Sequence, residues 1–341
     1  MARTGQEDKP AWSRVPLAVQ ARVAQRLGAS VKRAERAYGG YGPSGTYRLL
    51  LDDGRRAFFK GTYKLPEGSP VQWVLDREER VYERLGDLIH PWAPAYYGAF
   101  REGEWHALLL EDLGPDTVPP WTTSSARAAI RAFAAFHAGT YGRPLPRWLP
   151  RARAWASFGG SWQRLRSLRG GLRSLASVAG PRALEAERWL RRHVETLDAA
   201  AQRYARTRGP YALLHLDTRS DNVRVHPTAA VPLRMFDWPF ACAGPPELDF
   251  MAFAQSITCE GGPPPETLTT WYAEVLPLRG RVLADTAAAL AGFFGAQAWK
   301  APPEGLPRLR QVQRRQFRAS LAWAARLQNL PEPTWLEGVP S

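Results

Sequence analysis

Four polar residues in the second half of the chain hold the densest potential for chemistry: His215, Asp217, Asn222 and Asp237. Asp217 and Asn222 stand five apart just after the apolar run 211–214, and Asp237 ends a second apolar run 15 residues later. A loop and a neighbouring strand end can bring two carboxylates and an amide to one point. That donor set suits a hard cation such as Mg²⁺, which takes oxygen ligands and is commonly shared with phosphates. It also leaves one carboxylate to accept a proton from a hydroxyl. The same residue types cap turns, and on these four residues alone the two readings stand level.

Lys60 adds a cation. Only five of the 46 Lys and Arg residues are lysine, and this one ends the apolar run Ala57-Phe58-Phe59. An ammonium in a half-buried strand needs an anion, either a carboxylate or a phosphate. Glu78, on the apolar stripe of the following helical segment, is the natural carboxylate. A strand-end lysine can also simply extend to solvent.

The elements that must position these residues can be read from periodicity. Residues 1–14 read as a disordered, polar tail. Apolar positions Leu17, Val23 and Leu27 predict a helix over 15–27, and Gly28 stops it. The glycine-rich stretch 38–45 precedes two β-rich runs, 46–51 and 56–60, which flank Asp53-Gly54 and predict a hairpin. Glu78, Val81, Tyr82 and Leu85 share one stripe of a helix over 77–85, and 105–110 reads as an apolar strand. A proline-rich link at 115–120 follows. The chain therefore divides into a small β-rich part, 15–112, and a larger, mainly helical part, 113–341. The second part opens with a helix over 125–137. It contains another with Leu190, Val194, Leu197 and Ala201 on one face, and two short strands, 223–225 and 233–235. From 249 onward it is mostly helical.

Composition removes several classes of function. At 45% hydrophobic and 23% charged, the chain reads as globular. Its longest apolar run, around 286–299, falls short of the ~20 residues needed to span a bilayer. The polar N-terminus lacks a signal-peptide core. Two cysteines, Cys242 and Cys259, cannot build a disulfide framework, so a reducing cytoplasm is the expected setting. The formal charge of +14 is unevenly spread. Residues 1–112 carry 17 basic and 15 acidic side chains, whereas 143–208 carry 15 arginines against four acids. No aromatic-interleaved basic motif accompanies the arginines, which argues against a nucleic-acid partner. Nothing resembles a coiled-coil seam.

In order and spacing, these parts resemble the aminoglycoside phosphotransferase and choline kinase superfamily, relatives of the protein kinases. Leu214-His215-Leu216-Asp217-Thr218-Arg219-Ser220-Asp221-Asn222 is similar to that family's His-Gly-Asp-x-x-x-x-Asn loop. Phe236-Asp237-Trp238 resembles its metal-binding step, Gly244-Pro-Pro-Glu-Leu-Asp249 the segment that follows, and 108–113 its adenine-binding hinge. The resemblance implies an α+β, bilobal protein-kinase-like fold, with a nucleotide-binding N-lobe over 15–112 and a C-lobe over 113–341. It implies ATP and Mg²⁺ as cofactors. Asp217 would take the proton of the acceptor hydroxyl, and Asn222 and Asp237 would hold the metal. Lys60, steadied by Glu78, would grip the α- and β-phosphates. Gly39, Gly40, Gly42 and Gly45 would cover the triphosphate, and backbone groups of Glu111 and Leu113 would read the base. His215 and Asp249 would serve as scaffold.

Two departures stand out. Leu216 replaces the family's glycine, which requires a backbone there that a residue with a Cβ can adopt. Pro43 interrupts the glycine-rich stretch. The acceptor is expected to be a small hydroxyl compound, neutral or anionic, because the arginine-rich stretch 143–208 suits a polycationic aminoglycoside poorly. An aminoglycoside acceptor, a non-catalytic nucleotide-binding regulator and a nucleic-acid-binding protein are the competing readings.

Overall fold

Alternation of large apolar and polar residues on either side of Asp52-Asp53-Gly54 forces two strands to pair across a tight turn, and the sheet grows from that hairpin. The computed structural model describes residues 10–37, 45–62, 70–151, 158–303 and 308–340. The chain divides into two compact units. The first comprises Met1–Thr117 together with Asp221–Arg224 and Leu233–Phe240; the second holds the remainder. A single cut at 112/113, as the proline-rich link suggested, is therefore too simple. Backbone hydrogen bonds draw the later segments into the first unit: Met235 N–H donates to Trp92 O at 2.6 Å and Phe236 N–H to Asn222 O at 3.0 Å.

In the first unit, α1 (Leu17–Leu27) ends at Gly28, whose left-handed φ of 67° caps it. The strands β1 (Val31–Arg36), β2 (Gly45–Leu51), β3 (Arg56–Thr62), β4 (Tyr96–Glu102) and β5 (Trp105–Leu110) build an antiparallel sheet in the order β1-β2-β3-β5-β4. Between β3 and β4 runs α2 (Pro70–Ile89), longer than the 77–85 stripe alone predicts. One face of the sheet (Tyr47, Leu49, Phe59, Ala107, Leu109) packs on Val19, Val23 and Leu27 of α1. Each valine, leucine or phenylalanine among them contributes roughly 1.5–3 kcal/mol on burial. Alternation therefore leaves the opposite face to carry Thr46, Arg48, Phe58, Lys60, Leu108 and Leu110.

The second unit begins at α3 (Thr123–Thr140), whose Thr122 and Ser125 form a reciprocal cap. It continues through α4 (Ser161–Ser167), α5 (Gly171–Ala176) and α6 (Ala183–Ala205). A short strand β6 (Ala212–Leu214) pairs antiparallel with β9 (Cys242–Gly244). The paired strands β7 (Val223–Val225) and β8 (Leu233–Met235) lie between them in sequence but, apart from Val225, belong to the first unit. The helices α7 (Pro246–Cys259), α8 (Pro265–Ala273), α9 (Gly280–Ala298) and α10 (Leu309–Leu327) complete the unit. Small residues let α9 sit close to α4. A Cβ on Gly292 would lie 2.7 Å from Trp162 Nε1, whose N–H donates to Ala288 O at 2.8 Å. No helix among the described residues is long and apolar enough to cross a membrane.

Candidate functional site

Lys60 sits on β3 with its Nζ donating to Glu78 Oε2 at 2.6 Å and to Asp237 Oδ1 at 2.7 Å. Glu78 is fully buried on the inward stripe of α2, while Asp237 follows β8 with a left-handed φ of 67°. That backbone is uncommon outside glycine, although aspartate tolerates it better than most residues. Burial opposes the Lys60 charge, but the Asp237 and Glu78 carboxylates outweigh it and hold the ammonium above the usual lysine range. Burial pushes the Glu78 carboxyl up to about 7, with the Lys60 charge pulling the other way and Asp237 adding to the rise. Asn222 is buried in the 3-10 turn Ser220–Asn222 and is joined by its carbonyl to the residue before Asp237. Lys60, Glu78, Asn222 and Asp237 thus belong to one compact unit.

Glu111 and Leu113 follow β5. The Glu111 N–H already donates to Ala95 O at 2.9 Å. Its carboxylate accepts from Ala95 N–H at 3.0 Å and from Arg234 at 2.6 Å, and Arg234 also donates to Ala93 O at 2.9 Å. Arg234, three residues before Asp237, therefore clamps β8 to the segment after β5; nothing in its spacing marks it out among the arginines. Gly45 opens β2 opposite Gly61. Gly39, Gly40 and Gly42 lie outside the described residues.

Asp217 lies in the second unit, in a loop braced from several sides. Its N–H donates to His215 Nδ1 at 3.2 Å, and Arg219 Nε stands 3.3 Å from its Oδ1. Asp249, fully buried on α7, accepts from the N–H of His215 at 2.6 Å and of Leu216 at 2.8 Å. His137 Nε2 lies 3.2 Å from the same carboxylate, with its Nδ1 2.7 Å from the Tyr272 hydroxyl. The imidazole therefore bridges the Asp249 carboxylate and the Tyr272 hydroxyl through its two nitrogens. Leu216 has φ 67°. A residue with a Cβ does adopt this backbone, but in the left-handed region, where a Cβ costs roughly 1–2 kcal/mol, and the bond from its N–H to Asp249 helps to hold it there. His137 and Tyr272 were hidden because each sits in an apolar helical pattern that reads as core.

A second polar cluster brings Asp76, Glu79 and His106 together. The two His106 nitrogens face different carboxylates, Nδ1 toward Asp76 at 3.1 Å and Nε2 toward Glu79 at 2.8 Å, and Arg101 sits 2.8 Å from Asp76. With Arg101 these contacts tie α2 to β4 and β5, and one His106 nitrogen and one oxygen of each carboxylate also lie within 4.8 Å of one another. In the arginine-rich stretch, all four acids are engaged by arginines of the same stretch. Glu185 pairs with Arg182, Glu187 with Arg173 and Arg191, and Glu195 and Asp198 with Arg166.

The chain matches the phosphotransferase enzyme family over residues 34–274. No curated protein sequence matches it. Among solved structures, it resembles a spectinomycin phosphotransferase in complex with ADP and spectinomycin (14% identity, 94% of this chain and 97% of that one, TM-score 0.58). It also resembles choline kinase LicA from Streptococcus pneumoniae (13%, 90% and 98%, 0.56). A third likeness is to amicoumacin kinase hAmiN in complex with AMP-PNP, Ca²⁺ and Ami (12%, 90% and 96%, 0.51). At these identities the likeness is one of fold: protein-kinase-like, α+β, with an N-terminal antiparallel sheet.

Proposed function

The chain belongs to the phosphotransferase enzyme family, and from that premise we propose that it is a small-molecule kinase. It moves the γ-phosphoryl group of a purine nucleoside triphosphate, ATP in the reading drawn from the sequence resemblance, to a hydroxyl of a neutral or anionic acceptor. The observation that carries this is the ammonium of Lys60 held at 2.6 and 2.7 Å between a buried and a partly exposed carboxylate. A cation poised in that way can exchange Asp237 for phosphate oxygens while Glu78 keeps it in place. Asn222 and Asp237 offer an amide and a carboxylate oxygen on adjoining backbone, a donor set that fits a hard divalent cation. They would hold Mg²⁺, whose charge offsets that developing on the transferred phosphoryl oxygens.

The first unit binds the nucleotide in this reading, and the second supplies the base and the acceptor contacts. Asp217 orients the hydroxyl and takes its proton. His215 and Asp249 fix the backbone that carries it. The acceptor is neutral or anionic because the acids of the arginine-rich stretch are already engaged, leaving guanidinium in excess.

A thermal-shift screen of hydroxyl metabolites and antibiotics, with Mg²⁺ and nucleotide present, tests this directly. A ligand of the folded state raises its midpoint by mass action. Hits among neutral or anionic alcohols that are then phosphorylated support the reading. Efficient turnover of kanamycin-like polycations would overturn the acceptor class, and no nucleotide-dependent shift would remove the kinase assignment.

A further inference from the structure

Lys60 shares its face of the sheet with Phe58 and Arg56 on β3, and with their cross-strand partners Thr46, Arg48 and Leu50 on β2 and Leu108 and Leu110 on β5. If Lys60 grips phosphates, which is the reading proposed above, the base lies further along this face. One pair of residues on a strand spans about 6.6 Å, so the next positions toward the 111–114 segment are Phe58, Arg48 and Leu110.

That end of the face is charged. Arg48 Nη2 donates to Gly114 O at 2.5 Å, and Arg224 Nε donates to the same oxygen at 2.9 Å. Arg224 also donates to Val223 O at 2.7 Å, pairs with Asp116 at 2.8 Å and stands 4.8 Å over the Phe236 ring. Asp112 accepts from Gly114 N–H at 3.0 Å through Oδ1 and lies 3.8 Å from both Arg48 and Arg56. Its Oδ2 is buried, with no hydrogen-bond partner among the described residues. All of these residues belong to the first unit. Packing alone does not call for two guanidiniums and a carboxylate where a flat apolar slot would hold adenine.

Guanidinium only donates and carboxylate only accepts. Guanine offers the adjacent acceptors O6 and N7, which match the arginine fork, and the donors N1–H and N2–H₂, which suit a carboxylate. Adenine reverses two of these groups: its amino group would face a donor and its N1 an acceptor. We propose that the phosphoryl donor is a guanine nucleotide, with Arg48 and Arg224 as specificity-determining residues and Asp112, 3.8 Å from Arg48, reading the adjoining N1–H and N2–H₂ groups of the base.

Thermal shifts of the intact protein with Mg²⁺ and either GDP or ADP test this without an acceptor. GDP should reach half-maximal shift at a concentration at least about tenfold below that of ADP, the scale of one good arginine–guanine contact. Arg48→Leu and Arg224→Leu should each bring the two nucleotides to parity, and Arg48→Lys, which keeps the charge without the fork, should lose most of the preference. The wild-type comparison stands even if a variant does not fold. Tighter ADP binding by the wild-type protein overturns this inference while leaving the kinase reading intact; binding of neither nucleotide overturns the phosphate site itself.

Discussion

Lys60 Nζ lies 2.7 Å from Asp237 Oδ1, an ion pair between residues 177 positions apart in the chain. The contact joins the sheet's cation to the carboxylate after β8, and Glu78 completes the triad from α2 at 2.6 Å. Because Glu78 is fully buried, removing its cation leaves a carboxyl that must either keep a proton or hold a charge with nowhere to hydrate.

Lys60→Met should therefore destabilise the protein by about 3–5 kcal/mol, whereas Lys60→Met combined with Glu78→Leu should cost less than Lys60→Met alone. Urea denaturation of the two variants measures the difference. Additive losses would mean that the pair is not coupled.

Glu78 makes stability depend on pH in a defined direction. Its carboxyl is raised from 4.5 to about 7 by burial, so the folded state keeps a proton that the unfolded chain has already released. This contribution is fully present below pH 4.5 and is lost as pH rises through about 7. Urea midpoints between pH 5 and 8 should fall more steeply for the wild-type protein than for Glu78→Gln. Parallel curves would show that Glu78 carries no such linkage.

Asp217→Asn keeps the shape of the side chain but removes its ability to accept a proton. Transfer should fall by about 10²–10⁴-fold, the usual worth of a general base, while nucleotide binding stays within about twofold. An Asn variant with near-normal turnover would take Asp217 out of the chemistry.

Leu216 gives a backbone test of the same loop. Leu216→Gly should be tolerated, because relief of the left-handed strain offsets the greater freedom of glycine in the unfolded chain, each on the order of 1 kcal/mol. Leu216→Val should lose more than about 2 kcal/mol and most activity, since a β-branched residue fits φ 67° poorly. Equal behaviour of the two variants in thermal melts and turnover would remove strain as the explanation.

Some of this architecture could be read in the residues alone. Lys60 stands out as a scarce lysine ending an apolar strand, and the stripe of Glu78, Val81, Tyr82 and Leu85 orients α2 without coordinates. The hairpin of β2 and β3 follows from Asp53-Gly54. Other parts were not legible. The strand β1 is rich in charge because it is a sheet edge, where charged side chains discourage pairing with other chains, so its composition masks its conformation. Neither hydropathy nor spacing separates Arg48, Arg224 and Arg234 from the other arginines. Their importance comes from the carbonyl or carboxylate each one meets, a property of register and loop closure. His137 is likewise just one polar residue in an apolar helix until Asp249 and Tyr272 are seen on either side of it.

The first unit is assembled from three stretches of sequence, with Asp221–Arg224 and Leu233–Phe240 returning to it after more than a hundred intervening residues. No single cut in the coding sequence can therefore release it whole: a fragment ending at Thr117 would keep Lys60 and Glu78 but lose Asp237. Recombination that exchanges acceptor specificity among such proteins must treat the stretch from Asp221 to Phe240 as cargo travelling with the amino-terminal half.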